Sequence, residues 1–200
     1  MIRPLYFHNP NQEGFEAIIK HLHSKNYKFI SIEELYSRLE KNDTKGKLAY
    51  ISFDDGWQGN LKLIPIIEKY NVHITIFIAV NPIMSGNFWW EFVAKKVGYT
   101  QMQNFKNLPH DEFESQLKKI KTEVADLQRS AMTIDELETI TKHPLISIQS
   151  HTINHPILTK LPDDLLDFEL SESQKQLEKI TGKSIFAFSY PNGSISHREI

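Results

Sequence analysis

An acidic pair, a spaced pair of histidines and a polar turn are the places where this chain could do chemistry: Asp54-Asp55-Gly56, His151 with His155, and Tyr190-Pro191-Asn192-Gly193. There is no cysteine, so a disulfide scaffold and every thiolate metal site are excluded, and any metal must be held by His, Asp or Glu. Neutral imidazole is the commonest metal ligand. His151, His155 and one carboxylate would supply three protein ligands and leave a coordination position open, as a catalytic site requires. Alone, each cluster has a plainer reading. An Asp before Gly often caps a helix, and histidines four apart often share a solvated face. The setting favours function, because each cluster directly follows an apolar run.

Those runs are the elements that must position the chemistry. Leu48-Ala49-Tyr50-Ile51-Ser52-Phe53 reads as a strand ending at the acidic pair. Ile74 to Val80, apolar on both faces, reads as a strand buried on two sides, with Asn81-Pro82 a turn after it. Leu145 to Gln149 leads into the histidines, and Ile185 to Phe188 into the Tyr190 turn, while Pro4 to Phe7 is a first strand. Helical spacing predicts helices over Gln12–Ser24, from Ser31 (a capping box with Glu34) through Leu39, over Leu61–Tyr70 and over Asp163–Ile180. Alternating strands and helices imply an α/β fold with a mostly parallel sheet. In such folds the C-terminal strand ends share one face, so clusters distant in sequence meet there. Adjacent residues on a strand point to opposite faces; Asp54 and Asp55 can face one site only at a strand end, where Gly56 lets the chain turn.

From about Phe88 to Glu138 no strand pattern is present, and Asp111 with Glu114, then Thr133 with Glu136, mark two helix starts. That stretch reads as a helical insertion, about residues 88–140, between strands. Two hundred residues, 40% hydrophobic and 24% charged, suit one domain. With a net charge of -2 and no basic run, a nucleic-acid partner is not expected. No apolar stretch is long enough to span a membrane and the N-terminus has no signal-peptide pattern, so the expected location is the cytoplasm. His8, His73, His110 and His143 lack partners at ligand spacing, and His21 and His23 fall by a helix's polar face. Trp57, beside the acidic pair, is the indole best placed for a sugar face; at least one of Trp89 and Trp90 should pack in the core.

The motifs together resemble the polysaccharide deacetylases, the NodB homology domain of carbohydrate esterase family four. Ser52-Phe53-Asp54-Asp55-Gly56 is similar to that family's first motif, Ser150-His151-Thr152-Ile153-Asn154-His155-Pro156 to its second, and Phe186-Ala187-Phe188-Ser189-Tyr190-Pro191-Asn192-Gly193 to a variant of its third. The resemblance implies a deformed (β/α) barrel, with Asp54 as general base and Asp55, His151 and His155 as ligands of a divalent ion, most often zinc. Trp57, Tyr190, Pro191 and Asn192 would line the carbohydrate groove, with a main-chain amide near Tyr190 as oxyanion donor. Ser189 stands where many members carry an arginine. The family's final motif, with its general-acid histidine, is expected beyond Ile200, so the barrel is expected to lack its C-terminal part. The expected activity is metal-dependent hydrolysis of acetyl groups, N- before O-linked, on a polysaccharide or glycan precursor. A cyclic-amide hydrolase of the same fold and a non-catalytic glycan-binding module are the alternatives. The sequence implies no particular oligomeric state.

Overall fold

The computed structural model describes residues 1–199. Its centre is a parallel sheet of β1 (Ile2–Phe7), β2 (Lys28–Ile30), β3 (Leu48–Phe53), β4 (Ile74–Ile78) and β5 (Ile146–Ser150). β3 pairs with β1 along its whole length, with β2 at residues 48–50 and with β4 at residues 51–53; β4 pairs in turn with β5. Every residue of β3 and β4 is buried, as continuous apolar runs covered on both faces should be. The main core joins Phe15, Ile19 and Leu22 of α1 (Gln12–Ser24) to Ile51, Phe53, Ile76 and Ile148 of the sheet.

The helices start largely where the sequence places their caps. Asn11 accepts a hydrogen bond from the Gly14 N–H (2.7 Å) at the head of α1. Thr133 and Glu136 form a reciprocal capping box for α8 (Ile134–Ile140). At α2 (Ile32–Glu40), Ser31 accepts from the Glu34 N–H, but the Glu34 carboxylate is drawn to Lys28 and Arg38 instead of closing the box. Between β4 and β5 lie α4 (Val80–Ser85), α5 (Trp89–Val97), α6 (Tyr99–Phe105), α7 (His110–Glu123) and α8, so the region expected as a helical insertion is one. The α7 start falls at His110, after Pro109, with Asp111 in its first turn.

The structure adds one strand and corrects three local expectations. β2 has no signal in the sequence, because three residues are too few to display a period. Residues 58–63 form a 3-10 turn before α3 (Ile64–Tyr70), so the helix starts later than its apolar pattern suggests. Asn81 and Pro82 lie inside α4 and not in a turn, Pro82 falling in its first turn, where no N–H is needed. The expected strand at 185–188 is reduced to a single parallel bridge between Ser150 and Phe188. The physical reason is Gln149, whose side-chain oxygen accepts from the N–H groups of Phe186 and Ala187 (3.0 and 2.9 Å) in place of a ladder. α9 (Asp163–Thr181) packs on β5 and ends at Gly182 in the left-handed conformation. Among the described residues no helix is long and apolar enough to cross a membrane.

Candidate metal and acyl-transfer site

Because the strands are parallel, the residues following β3 and β5 emerge at one end of the sheet. The Asp54 N–H still donates to Phe7 (2.9 Å), extending the ladder by one residue. Asp55 then turns to φ 77° and Gly56 to φ 93°. A side chain at Gly56 would lie 2.8 Å from Ile78 Cδ1, so the turn requires glycine both for its φ and for room. This reversal frees Asp55 from strand alternation, and both carboxylates line the same cleft.

The histidine segment is held as tightly. His151 donates its N–H to the Ile78 carbonyl (2.9 Å), and then Thr152 (φ 71°) and His155 (φ 56°) enter the left-handed region. Such conformations are costly for non-glycine residues, severely so for β-branched Thr152, and persist where surroundings over-determine them. Thr152 Oγ1 accepts from the His155 N–H (3.0 Å). Buried Glu169 of α9 accepts from the N–H groups of Ile153 and Asn154 (2.8 and 2.9 Å) and from Asn154 Nδ2 (2.6 Å). The Trp89 indole donates to the His155 carbonyl (3.0 Å).

Asp55, His151 and His155 thereby converge. Asp55 Oδ1 lies 3.5 Å from His151 Nε2 and 3.3 Å from His155 Nε2. One ligand atom from each residue falls within 4.8 Å of the others, and all three side chains are buried. Trp57 Nε1 donates to Asp55 Oδ2 (2.8 Å), which leaves Oδ1 facing the imidazoles. His151 Nδ1 stands 2.7 Å from the Ser189 carbonyl. A carbonyl can only accept, so Nδ1 carries the proton and the Nε2 lone pair of a neutral ring points toward Asp55. Asp55 Oδ1 is buried without a hydrogen-bond partner among the described residues. Lone pairs facing one another in a buried pocket fit a cation between them, and nitrogen and oxygen donors suit a divalent ion.

The protonation preferences agree with concentrated opposing charge. Burial alone would raise the Asp55 pKa, but the two imidazoles outweigh it and hold the carboxyl well below the usual range. At His151 burial acts against charge, yet the adjacent Asp55 carboxylate pushes the pKa up. At His155 burial prevails and pushes it down. Asp54 is pushed up, foremost by burial and further by the charge of Asp55, and its Oδ1 also has no hydrogen-bond partner among the described residues.

The cleft measures about 870 Å³. Trp57, Tyr190 and Asn192 line it; Pro191 is buried and is not among the lining residues. His8, without a ligand-spaced partner in sequence, also lines it, as do Tyr6, Trp90 and one face of α6. Trp90 packs against the His155 ring with centroids 4.7 Å apart, while Trp89 is its core-facing neighbour. A hollow of about 280 Å³ lies behind the 154–156 turn and includes none of Asp54, Asp55, His151 or His155.

A family model described as polysaccharide deacetylase matches residues 41–199, most of the chain. The curated Bacillus subtilis (strain 168) protein YxkH, which carries a polysaccharide deacetylase name, is 24% identical over 186 residues; the match covers 92% of this chain and 50% of that protein. The chain thus spans about half the length of that relative. Among solved structures, the Streptococcus pyogenes deacetylase PplD in complex with acetate superposes with a TM-score of 0.69 at 19% identity, over 99% of this chain and 76% of that one. IcaB from Ammonifex degensii superposes with a TM-score of 0.71 at 16% identity, over 99% and 77%. At such identities the superpositions speak for the fold.

Proposed function

The chain belongs to the polysaccharide deacetylase family, and from that premise we propose that it is a metal-dependent hydrolase removing acetyl groups, N-linked in preference to O-linked, from a polysaccharide or glycan precursor. The observation that carries this reading is the convergence of Asp55, His151 and His155 in a cleft that also presents Asp54. Asp55 Oδ1 and the two Nε2 atoms would hold a divalent ion, with zinc the best match to one carboxylate and two imidazoles. Such an ion supplies Lewis-acid polarisation of an acyl oxygen and brings the pKa of water toward about 7.

The protein's own groups supply the rest. Asp54 takes a proton from the attacking water; its buried Oδ1 has no hydrogen-bond partner among the described residues and is free to accept. A main-chain amide near Tyr190 would stabilise the developing oxyanion. Trp57 holds Asp55 Oδ2 so that Oδ1 stays aimed at the imidazoles. An amide acetyl is a poorer electrophile than an ester, and a cation with a buried carboxylate base is the equipment an amide needs. The chain is taken as one domain, since a single buried cluster runs from α1 through the sheet to α8.

Two substitutions separate the roles. In the full-length protein, Asp54→Asn is expected to retain the metal and to lose acetate release from N-acetylated oligosaccharides by about 100-fold or more. Asp55→Asn is expected to lose both, because its carboxylate is a ligand. Metal content after dialysis and acetate release are the readouts. Undiminished release from Asp54→Asn would refute its role as base. No release by wild type from N-acetyl, O-acetyl or cyclic-amide substrates would favour a non-catalytic glycan-binding module.

A further inference from the structure

α6 and its C-terminal cap residue Lys106 turn one face to the cleft: Tyr99, Met102, Gln103 and Lys106 all line it, at the three- and four-residue spacing of a single helical stripe. That face is firmly set. Met102 and Phe105 are buried with Trp89, Phe113 and Leu117 in a second core. The main chain at Lys106 is clamped, because Lys160 Nζ donates to the carbonyls of Lys106 and Leu108 (2.8 and 2.9 Å). Lys106 itself is partly buried, and among the described residues its ammonium makes no hydrogen bond or ion pair.

It is also the sole lysine or arginine among the described cleft-lining residues. The cleft's two carboxylates do not serve as its counterions. The Trp57 indole takes Asp55 Oδ2 while Oδ1 faces the two imidazoles, and among the described residues no hydrogen bond or ion pair joins Lys106 to Asp54 or Asp55. Burial pulls the Lys106 pKa down against the opposing charge of Asp55, as for a cation partly desolvated without a bonded partner. A divalent ion would offset the charge of Asp54 and Asp55, leaving the lysine as net positive charge in the wall. A partly desolvated ammonium without a bonded partner gains from pairing with an anion that enters the cleft.

We propose that Lys106 is a specificity-determining residue that pairs with an anionic substituent, carboxylate or phosphate, on the sugar that enters the cleft. The substrate class is then an acidic glycan. This rests on the deacetylase reading for the word substrate, and on the cleft alone for the recognition of the anion.

The test compares wild type with Lys106→Gln and Lys106→Arg, all metal-loaded and full-length. The probes are N-acetylated oligosaccharides of equal length: one neutral, one carrying a carboxylate, one carrying a phosphate. KM and kcat are measured for each, and binding to Asp54→Asn protein is followed by calorimetry with and without Lys106→Gln. Wild type is expected to favour an anionic sugar over the neutral one by about tenfold or more, the size of one charge-assisted hydrogen bond. Lys106→Gln should lose that preference through KM, and Lys106→Arg should restore much of it. Comparing the two anionic arms identifies the acid. Equal preference in wild type and Lys106→Gln, or a wild type that favours the neutral sugar, overturns the inference. Lys106-dependent binding of anionic sugars with no acetate released from any probe would support it while the deacetylase reading fails. Acetate release that ignores both sugar charge and Lys106 would overturn it and leave the deacetylase reading intact.

Discussion

Changing Trp57 to Phe removes an indole N–H while keeping an aromatic ring against Phe88 (centroids 4.4 Å) and Trp90 (6.3 Å). The lost bond is the 2.8 Å contact from Nε1 to Asp55 Oδ2. Asp55 is 1% exposed, so water cannot readily replace the donor. A hydrogen bond to a charged group contributes about 1.5–3 kcal/mol, and more when the partner is left buried. Without it the carboxylate can rotate, and Oδ1 no longer has to face the two Nε2 atoms. At about 1.4 kcal/mol per decade the expected loss is about 10–100-fold in metal affinity, the range found when an outer partner of a metal ligand is removed. The assay is competition for zinc against a chromophoric chelator, with thermal unfolding of the metal-free protein run in parallel to register any loss of fold. A well-folded Trp57→Phe protein with wild-type zinc affinity would refute the reasoning, since Trp57 would then be a wall of the cleft and not a support for Asp55.

Two further outcomes follow from the same geometry. Glu169→Ala deletes the acceptor of three N–H bonds beneath the His155 turn and should destabilise the protein by about 3 kcal/mol or more, measured by urea unfolding; a change near zero would mean the turn is held without it. Asp54 titrates above the ordinary aspartate range, chiefly through burial, so in metal-free protein the folded state binds this proton more tightly than the unfolded chain. Stability should therefore fall as pH rises from the ordinary aspartate range through the raised value, and level off above it. Asp54→Asn should lack that fall, and identical pH profiles for the two proteins in chemical denaturation would contradict the assignment.

What the sequence determined by itself is local. β3 is legible because Leu48 to Phe53 is a largely apolar run ending at the acidic pair, and α1 because Phe15, Ile19 and Leu22 repeat at helical spacing. The cap at Thr133 was legible because its partner Glu136 lies one turn away. Asp54-Asp55-Gly56 and His151-x-x-x-His155 were readable as chemistry from residue type and spacing, and parallel strands imply that their ends share a face. Which oxygen and which nitrogen meet is tertiary: Asp55 Oδ1 is left free because Trp57 takes Oδ2, and His151 Nε2 because Ser189 takes Nδ1. Glu169 reads in sequence as one more acid on an amphipathic helix, yet packing turns it inward to hold the His155 turn. The segment 185–188 has strand composition, but Gln149 captures two of its N–H groups, a contact between residues 37 and 38 positions apart. The α6 stripe looks like an ordinary helix face until Trp89 and Phe113 bury its neighbours and turn Lys106 to the cleft. Elements form from interactions within a turn or two of chain, so their signals are local. The site forms from contacts between elements, and those depend on how each helix is rotated against the sheet, which only the packed core decides.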